Sequence, residues 1–316
     1  MTAKKELPSI AVLDDYQGVA LGMADWSVLE GLATVTAFRD HVEDEEALVR
    51  RLEAFDAICV MRERTPMPAS LIERLPKLKI IVSTGSKNRS IDMDAASSRG
   101  IQVHGTAYWS DPTIEMTWAL ILGSMRHLVE EGVSVRAGGW QTSVGADLKG
   151  RALGILGLGR IGTRVAEIGR AFGMDVIAWS QNLTEERAAE AGARRVSKEE
   201  LFRQSDVLSI HVILSQRTRG LVGRPELALM KSTARLINTS RGEIVSEDAM
   251  IEALRNRQIA GAALDVFDQE PLPLDHPYRT LPNVLATPHI GYVGEDLYKA
   301  FFTDTVSHLR QWLDQA

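Results

Sequence analysis

Arg241, Glu270 and His289 are residues of this 316-residue chain whose types and setting can do chemistry together. They lie in three short segments, Asn238-Thr239-Ser240-Arg241-Gly242, Leu264-Asp265-Val266-Phe267-Asp268-Gln269-Glu270-Pro271 and Thr287-Pro288-His289-Ile290-Gly291. An arginine offers a planar fork of donors to a carboxylate. An imidazole gives or takes a proton near neutral pH. A glutamate beside it can orient the ring and favour its charged form. Each residue alone has an ordinary explanation: an ion-paired surface arginine, a turn histidine next to a proline, a Glu-Pro loop start. Their setting argues for a joint role. The first two segments each follow an apolar run that reads as a strand. Open α/β sheets gather ligands outside the carboxyl ends of their strands.

All three segments lie downstream of a glycine turn. The apolar run Leu153–Leu156 breaks into Gly157-Leu158-Gly159-Arg160-Ile161-Gly162, and a helix pattern follows. Gly157 permits the tight turn, Gly159 the approach of backbone N–H groups to a pyrophosphate, and Gly162 close packing of helix on strand. The open N–H groups at the helix start then face the anion. A lone G-x-G-x-x-G is weak evidence, but this one has the strand and the helix it requires. The reading is a dinucleotide-binding βαβ unit, with Arg241, Asp265, Glu270 and His289 converging at the nicotinamide end.

The rest of the chain must position this unit. Residues 9–103 alternate short apolar runs with amphipathic helix patterns, as a parallel sheet covered by helices does. A helix is expected from about Pro112 to Gly138, with Pro112 in its first turn. A second alternation starts at Leu153 and ends near Ala286. The pattern Gly294–Trp312 has apolar positions at Leu297, Phe301, Phe302, Val306, Leu309 and Leu313. It is expected to return to the first domain. The fold class is thus α/β with two doubly wound parallel-sheet domains, the second inserted into the first. The expected division is residues 1–103 with 291–316, and residues 104–290.

Composition narrows the function classes. A formal net charge of −6 without a basic block argues against nucleic acid. The one cysteine, Cys59, lies in an apolar strand pattern, so it reads as a buried thiol in a reducing compartment. The charged start Met1–Glu6 does not read as a signal peptide, and no apolar run is long enough to span a bilayer. No membrane association and a cytoplasmic location are expected. The histidines show no metal-ligand spacing, so no catalytic metal is expected.

Taken together, the motifs resemble the D-isomer-specific 2-hydroxyacid dehydrogenases, in particular the glyoxylate/hydroxypyruvate reductase type. The resemblance covers essentially the whole chain. It rests on the glycine turn, Asn238–Gly242, Ala263-Leu264-Asp265-Val266-Phe267, Glu270-Pro271 and Pro288-His289-Ile290-Gly291. It implies a Rossmann cofactor domain inserted into a flavodoxin-like substrate domain, and a homodimer. It also implies hydride transfer between NAD(H) or NADP(H) and C2 of a small 2-oxo or D-2-hydroxy acid. Arg241, Glu270 and His289 match the family's catalytic set. Cofactor contacts are expected from Gly157, Gly159, Arg160, Ile161, Gly162, Ser180, Gln181, His211, Thr218, Thr239 and Asp265. Substrate contacts are expected from Arg62, Gly85, Ser86, Lys87 and Arg241.

Three departures from the family pattern bear on specificity. The acid that binds the ribose 2′-OH in NAD-binding relatives is replaced by Ser180, followed by Gln181 and Asn182, so the reading leans to NADP or dual use. The substrate loop Gly85-Ser86-Lys87-Asn88-Arg89-Ser90-Ile91-Asp92 carries Lys87 where relatives have glycine and Arg89 where they have aspartate. With Arg62, Lys87 suggests a second anionic group on the substrate. After His211, relatives usually have a proline two residues on, where this chain has Ile213. Three other readings compete. Formate enzymes of the family pair the histidine with glutamine, so Glu270 argues against that branch. Some relatives are nucleotide-sensing transcriptional co-regulators, but no long disordered tails are evident here. A Rossmann-type methyltransferase explains neither Gly162 nor the Arg241, Glu270, His289 set.

Overall fold

The computed structural model describes residues 6–315; the charged start Met1–Lys5 lies outside them. The chain divides into two compact units, one comprising the residues up to Trp109 and from Val293 onward, the other Ser110–Tyr292. The second is therefore an insertion in the chain of the first.

The first unit carries β1 (Ser9–Val12), β2 (Thr34–Ala37), α1 (Glu45–Leu52), β3 (Ala57–Val60), α2 (Ala69–Ile72), β4 (Ile80–Ser83), α3 (Met93–Ser98) and β5 (Gln102–Gly105). Its sheet has the order β2-β1-β3-β4-β5, and every pairing is parallel. That is the flavodoxin-like order. The continuous apolar runs of β3 and β4 are buried at every position, as strands covered on both faces are. Asp44 and Asp92 start α1 and α3 by accepting from Ala47 N and Ala95 N. These carboxylates satisfy amides that helix geometry leaves open.

The inserted unit begins with α4 (Asp111–Met125) and α5 (Leu128–Arg136). It continues through β6 (Ala152–Leu156), α6 (Arg160–Ala171), β7 (Asp175–Trp179), α7 (Glu185–Glu190), β8 (Arg194–Arg195) and α8 (Lys198–Gln204). It closes with β9 (Val207–Ile210), α9 (Arg224–Leu229), β10 (Arg235–Asn238), α10 (Glu247–Arg255), β11 (Gly261–Leu264) and β12 (Val284–Ala286). Its parallel sheet runs β12-β11-β10-β9-β6-β7-β8, the doubly wound order in which the chain reverses direction beside β6. Adjacent strand residues point to opposite faces. Leu208, Leu236 and Ala262 join one buried cluster with Phe202 and Leu254, while Val207, Ile237 and Ala263 join another with Trp118 and Val165. Helix α11 (Glu295–Asp314) belongs to the first unit, where Leu297, Phe301, Phe302, Val306 and Leu309 are buried.

One expected element is corrected. The helix read as continuous from Pro112 to Gly138 breaks at Arg126-His127, where His127 takes a left-handed φ of 53°. Its Nε2 lies 3.4 Å from Arg235 Nη2, which ties the break to the start of β10. The apolar spacing runs on through the break because the apolar residues of α5 form a helical face too, but none of them is buried. The apolar pattern of the sequence does not predict the strands β5 and β8 or the helix α9. β8 is two arginines long, and its pairing with Ile177 and Ala178 leaves no apolar signature.

Candidate active site

In the inserted unit all strands are parallel, so the segments after β6, β7, β9, β10, β11 and β12 emerge at one edge of the sheet. That edge carries Gly157, Ser180, His211, Arg241, Glu270 and His289.

His289 and Glu270 meet there. Nδ1 of His289 lies 2.5 Å from Glu270 Oε2, with the two side chains 24% and 30% exposed. A carboxylate only accepts, so Nδ1 carries the hydrogen and Nε2 is the nitrogen left for proton transfer. Glu270 is itself fixed, because its Oε1 accepts from Phe267 N at 2.9 Å. The backbone of His289 holds a left-handed φ of 52°, a conformation that costs a residue with a side chain energy unless its surroundings enforce it. Asp265 enforces it. Its Oδ1 accepts from Thr287 Oγ1 at 2.6 Å and Ile290 N at 2.9 Å, and its Oδ2 from Gly291 N at 2.6 Å. The residue is 1% exposed. Burial raises its carboxyl above the ordinary range, and the Thr287 and backbone donors and the nearby His289 oppose that rise. A carboxylate expected beside the cofactor thus has both oxygens engaged by the turn that carries the imidazole.

Arg241 follows β10 on a turn folded by Asn238. Asn238 Oδ1 accepts from Ser240 N at 3.0 Å, and its Nδ2 donates to the Arg241 carbonyl at 2.9 Å. Ser240 Oγ donates to Val212 O at 2.6 Å, which ties the turn to the end of β9. Thr239 is buried, with Oγ1 2.8 Å from Thr117 Oγ1 on α4. Thr117 Oγ1 is also 2.8 Å from Thr113 O, which has only acceptor capacity. With that hydrogen engaged, Thr239 donates to Thr117 and retains lone pairs for a ligand donor.

The glycine turn has the shape a pyrophosphate requires. Gly157 has φ 106°, and a Cβ there would lie 2.7 Å from the His211 carbonyl carbon. A Cβ at Gly162 would collide with the Gly157 carbonyl oxygen. A Cβ at Gly159 would meet nothing within 4 Å, so its surroundings are open where the α6 amides begin. Arg160 is exposed and Ile161 half-buried. Ser180, after β7, accepts from Leu158 N at 2.8 Å, so its own hydrogen is left to donate. Gln181 and Asn182 are exposed. The residues present therefore fit a dinucleotide. His211 Nε2 lies 2.8 Å from Ser209 Oγ, and burial of the ring pushes its pKa down to about 4, so it is neutral at physiological pH. Thr218 closes its own loop, donating to Ile213 O at 2.7 Å and accepting from Ser215 N at 2.8 Å.

The expected substrate residues other than Arg241 lie in the first unit. Gly85 has φ 89°, its N donates to Thr106 Oγ1 at 2.7 Å, and the Arg62 guanidinium fills the space a side chain there would take. Arg62 itself has φ 53°, and its Cζ lies 4.9 Å from the centre of the Tyr108 ring. Asn88, which the sequence reading passed over, donates to Arg62 O at 2.6 Å and Ser83 Oγ at 3.0 Å. Ser86 and Lys87 are exposed at the tip of this loop. Among the described residues, no group of three or more His, Cys, Asp or Glu is arranged to hold a metal ion.

Comparison with known proteins identifies the family. Residues 118–291 match the model for the D-isomer specific 2-hydroxyacid dehydrogenase NAD binding domain. A glyoxylate reductase from Aeropyrum pernix is 43% identical over 77% of this chain and 76% of its own length. A D-3-phosphoglycerate dehydrogenase from Bacillus subtilis is 40% identical over 76% of this chain, but over only 46% of its own length. The crystal structure of a phosphoglycerate oxidoreductase from Vibrio cholerae superposes with a TM-score of 0.92 at 38% identity, covering 98% of this chain and 100% of that one. The chain belongs to the D-isomer-specific 2-hydroxyacid dehydrogenase family. Its chemistry is nicotinamide-linked oxidation and reduction between 2-hydroxy and 2-oxo acids.

Proposed function

We propose that this chain is a 2-oxo acid reductase in which His289 is the acid–base group, Glu270 its orienting carboxylate and Arg241 the clamp for the substrate carboxylate. The observation that carries this reading is the 2.5 Å contact between His289 Nδ1 and Glu270 Oε2, at the strand edge that also holds the glycine turn. The nicotinamide cofactor, when bound, supplies the hydride for C2 in reduction and takes it back in oxidation. Nε2 of His289 donates a proton to the developing alkoxide oxygen in reduction and withdraws it in oxidation. Arg241 pairs with the carboxylate and orients the carbonyl for attack. Glu270 fixes the ring so that Nε2 points to the substrate.

Cofactor contacts are assigned to Gly157, Gly159, Arg160, Ile161, Gly162, Ser180, Gln181 and Thr239, with His211 and Thr218 shaping the adjacent loop. Asp265 acts there through the turn it holds. No carboxylate occupies 180–182, and the Ser180 hydroxyl, the two amides and the exposed Arg160 offer donors. This supports NADP(H) or use of both cofactors. Arg62, Gly85, Ser86 and Lys87 are assigned to the substrate, and the two cations favour an acid with a second anionic group. A homodimer and a cytoplasmic location complete the reading. The first is supported by the uncovered face of α5, the second by a lone buried cysteine.

The test is a panel of glyoxylate, hydroxypyruvate and dicarboxylic 2-oxo acids with NADH and NADPH, on wild type and on His289→Ala. The variant should lose about 10²–10⁴-fold in kcat, the usual contribution of a positioned acid–base group, and keep its cofactor affinity. Near-normal turnover in that variant would sink the assignment. A strong NADH preference would remove the cofactor reading, and no gain for dicarboxylates would remove the second-anion reading.

A further inference from the structure

Gly242 directly follows Arg241, and its φ does not require glycine. The need is steric. A Cβ there would fall 2.5 Å from both Asp268 N and Phe267 O, and nearer still to the Phe267 carbonyl carbon. These are backbone atoms and cannot swing aside. The contact joins the turn that carries Arg241 to the loop that carries Glu270. Phe267 is also the residue whose N–H anchors Glu270 Oε1 at 2.9 Å, and Glu270 Oε2 in turn holds His289. A row of fixed contacts therefore runs from Arg241 through Gly242, Phe267 and Glu270 to His289. Asn238, 1% exposed, secures the other side of the turn through the Arg241 carbonyl.

We propose that Gly242 and Asn238 are positioning residues that set the spacing between the Arg241 guanidinium and the His289 imidazole. The inference rests on the reading of Arg241 and His289 given above. A 2-oxo acid holds its carboxylate and its carbonyl oxygen on adjacent carbons. The two protein groups that grip it must therefore match a short, rigid span. The stem of Arg241 can adjust to a shifted substrate, but the backbone beneath it cannot adjust past Phe267. Direct backbone contact fixes the base from which Arg241 reaches more tightly than packed side chains do, because no rotamer can relieve a clash between backbone atoms.

The experiment compares three variants. Gly242→Ala should lower kcat/KM for glyoxylate by about 10²-fold, the usual effect of a displacement near 1 Å, with cofactor Kd changed less than about threefold. Two competitive inhibitors separate spacing from general damage. Oxamate, a non-reducible 2-oxo acid analogue, engages both groups, and acetate engages the arginine alone. In Gly242→Ala the oxamate Ki should rise about tenfold while the acetate Ki stays unchanged. Asn238→Ala introduces no clash and should show the same split at smaller amplitude, so it decides the matter if Gly242→Ala does not fold. Gly261→Ala is the comparator. Its Cβ would fall 2.6 Å from Asn283 O at the opposite end of β11, so it should lower Tm without changing kcat/KM per folded molecule. The proposal is overturned if the first two variants behave like Gly261→Ala, or if oxamate and acetate weaken together. An active His289→Ala would defeat the underlying reading. An inactive His289→Ala with no inhibitor split would defeat only the positioning role.

Discussion

Asp268 lies two residues before Glu270 and carries a charge the fold resists. Its carboxyl is pushed up from an ordinary 3.8 to about 6, first by burial and then by Glu247 and Glu243, against the pull of Arg219 and His276. Because the folded value is the higher one, the folded state binds this proton more tightly. The stability it lends is full below about pH 4 and is lost as pH rises through about 6. Asp268→Asn should therefore stabilise the protein at pH 8 and do nothing at pH 4. The residue is only partly buried, so solvent screening holds the gain to about 1 kcal/mol, a Tm rise of about 2–4 °C. Thermal unfolding at the two pH values checks this, and an equal effect at both would contradict it. Legibility at this scale followed sequence distance. The segments carrying Arg241, Glu270 and His289 could be placed at one sheet edge because each lies within a few residues of a strand end. The partners of Asp265 lie 22, 25 and 26 residues away, and that of Thr239 lies 122 residues away, so neither engagement could be read.

Among elements, the β6–α6 turn divides its glycines by function. Gly162 serves packing, and the open surroundings of Gly159 serve a ligand. Gly162→Ala should lower Tm, because the Gly157 carbonyl cannot move without distorting the turn. Gly159→Ala should leave Tm nearly unchanged and weaken cofactor Kd by at least about tenfold, since its methyl enters the space of the pyrophosphate. Fluorescence titration and thermal unfolding separate the two, and equal losses in both variants would contradict the division. The glycines were legible from spacing alone because the backbone geometry of such a turn is local. The end of α4 was not. A 3.6-residue apolar period says that a helix has an apolar face, but not what that face meets. At α5 the period continues and the burial does not.

For the molecule as a whole, that uncovered face bears on assembly. Leu128, Val129, Val133, Val135, Trp140 and Val144 are all exposed within one short stretch of the inserted unit. Soluble monomers rarely leave so much apolar surface together. Val133→Asp should convert the proposed homodimer to a monomer, with light scattering after gel filtration as the measurement. An unchanged dimer would place the interface elsewhere, and a wild-type monomer would remove the homodimer reading. No helix among the described residues is long and apolar enough to cross a membrane. The two-sheet architecture was legible because each strand–helix alternation is a local pattern, and the insertion because one helix pattern remained after the second alternation had closed.

The insertion also imposes an order on the birth of the protein. The residues of the inserted unit are contiguous in the chain and all precede Val293. On the ribosome that unit can close while the first is still waiting for α11. Until α11 emerges, the apolar surface that will receive Phe301, Phe302 and Leu309 stays uncovered, although every residue of the inserted unit has already been made. The first unit is thus the first begun and the last completed, and its exposed interval lengthens with every residue of the insertion.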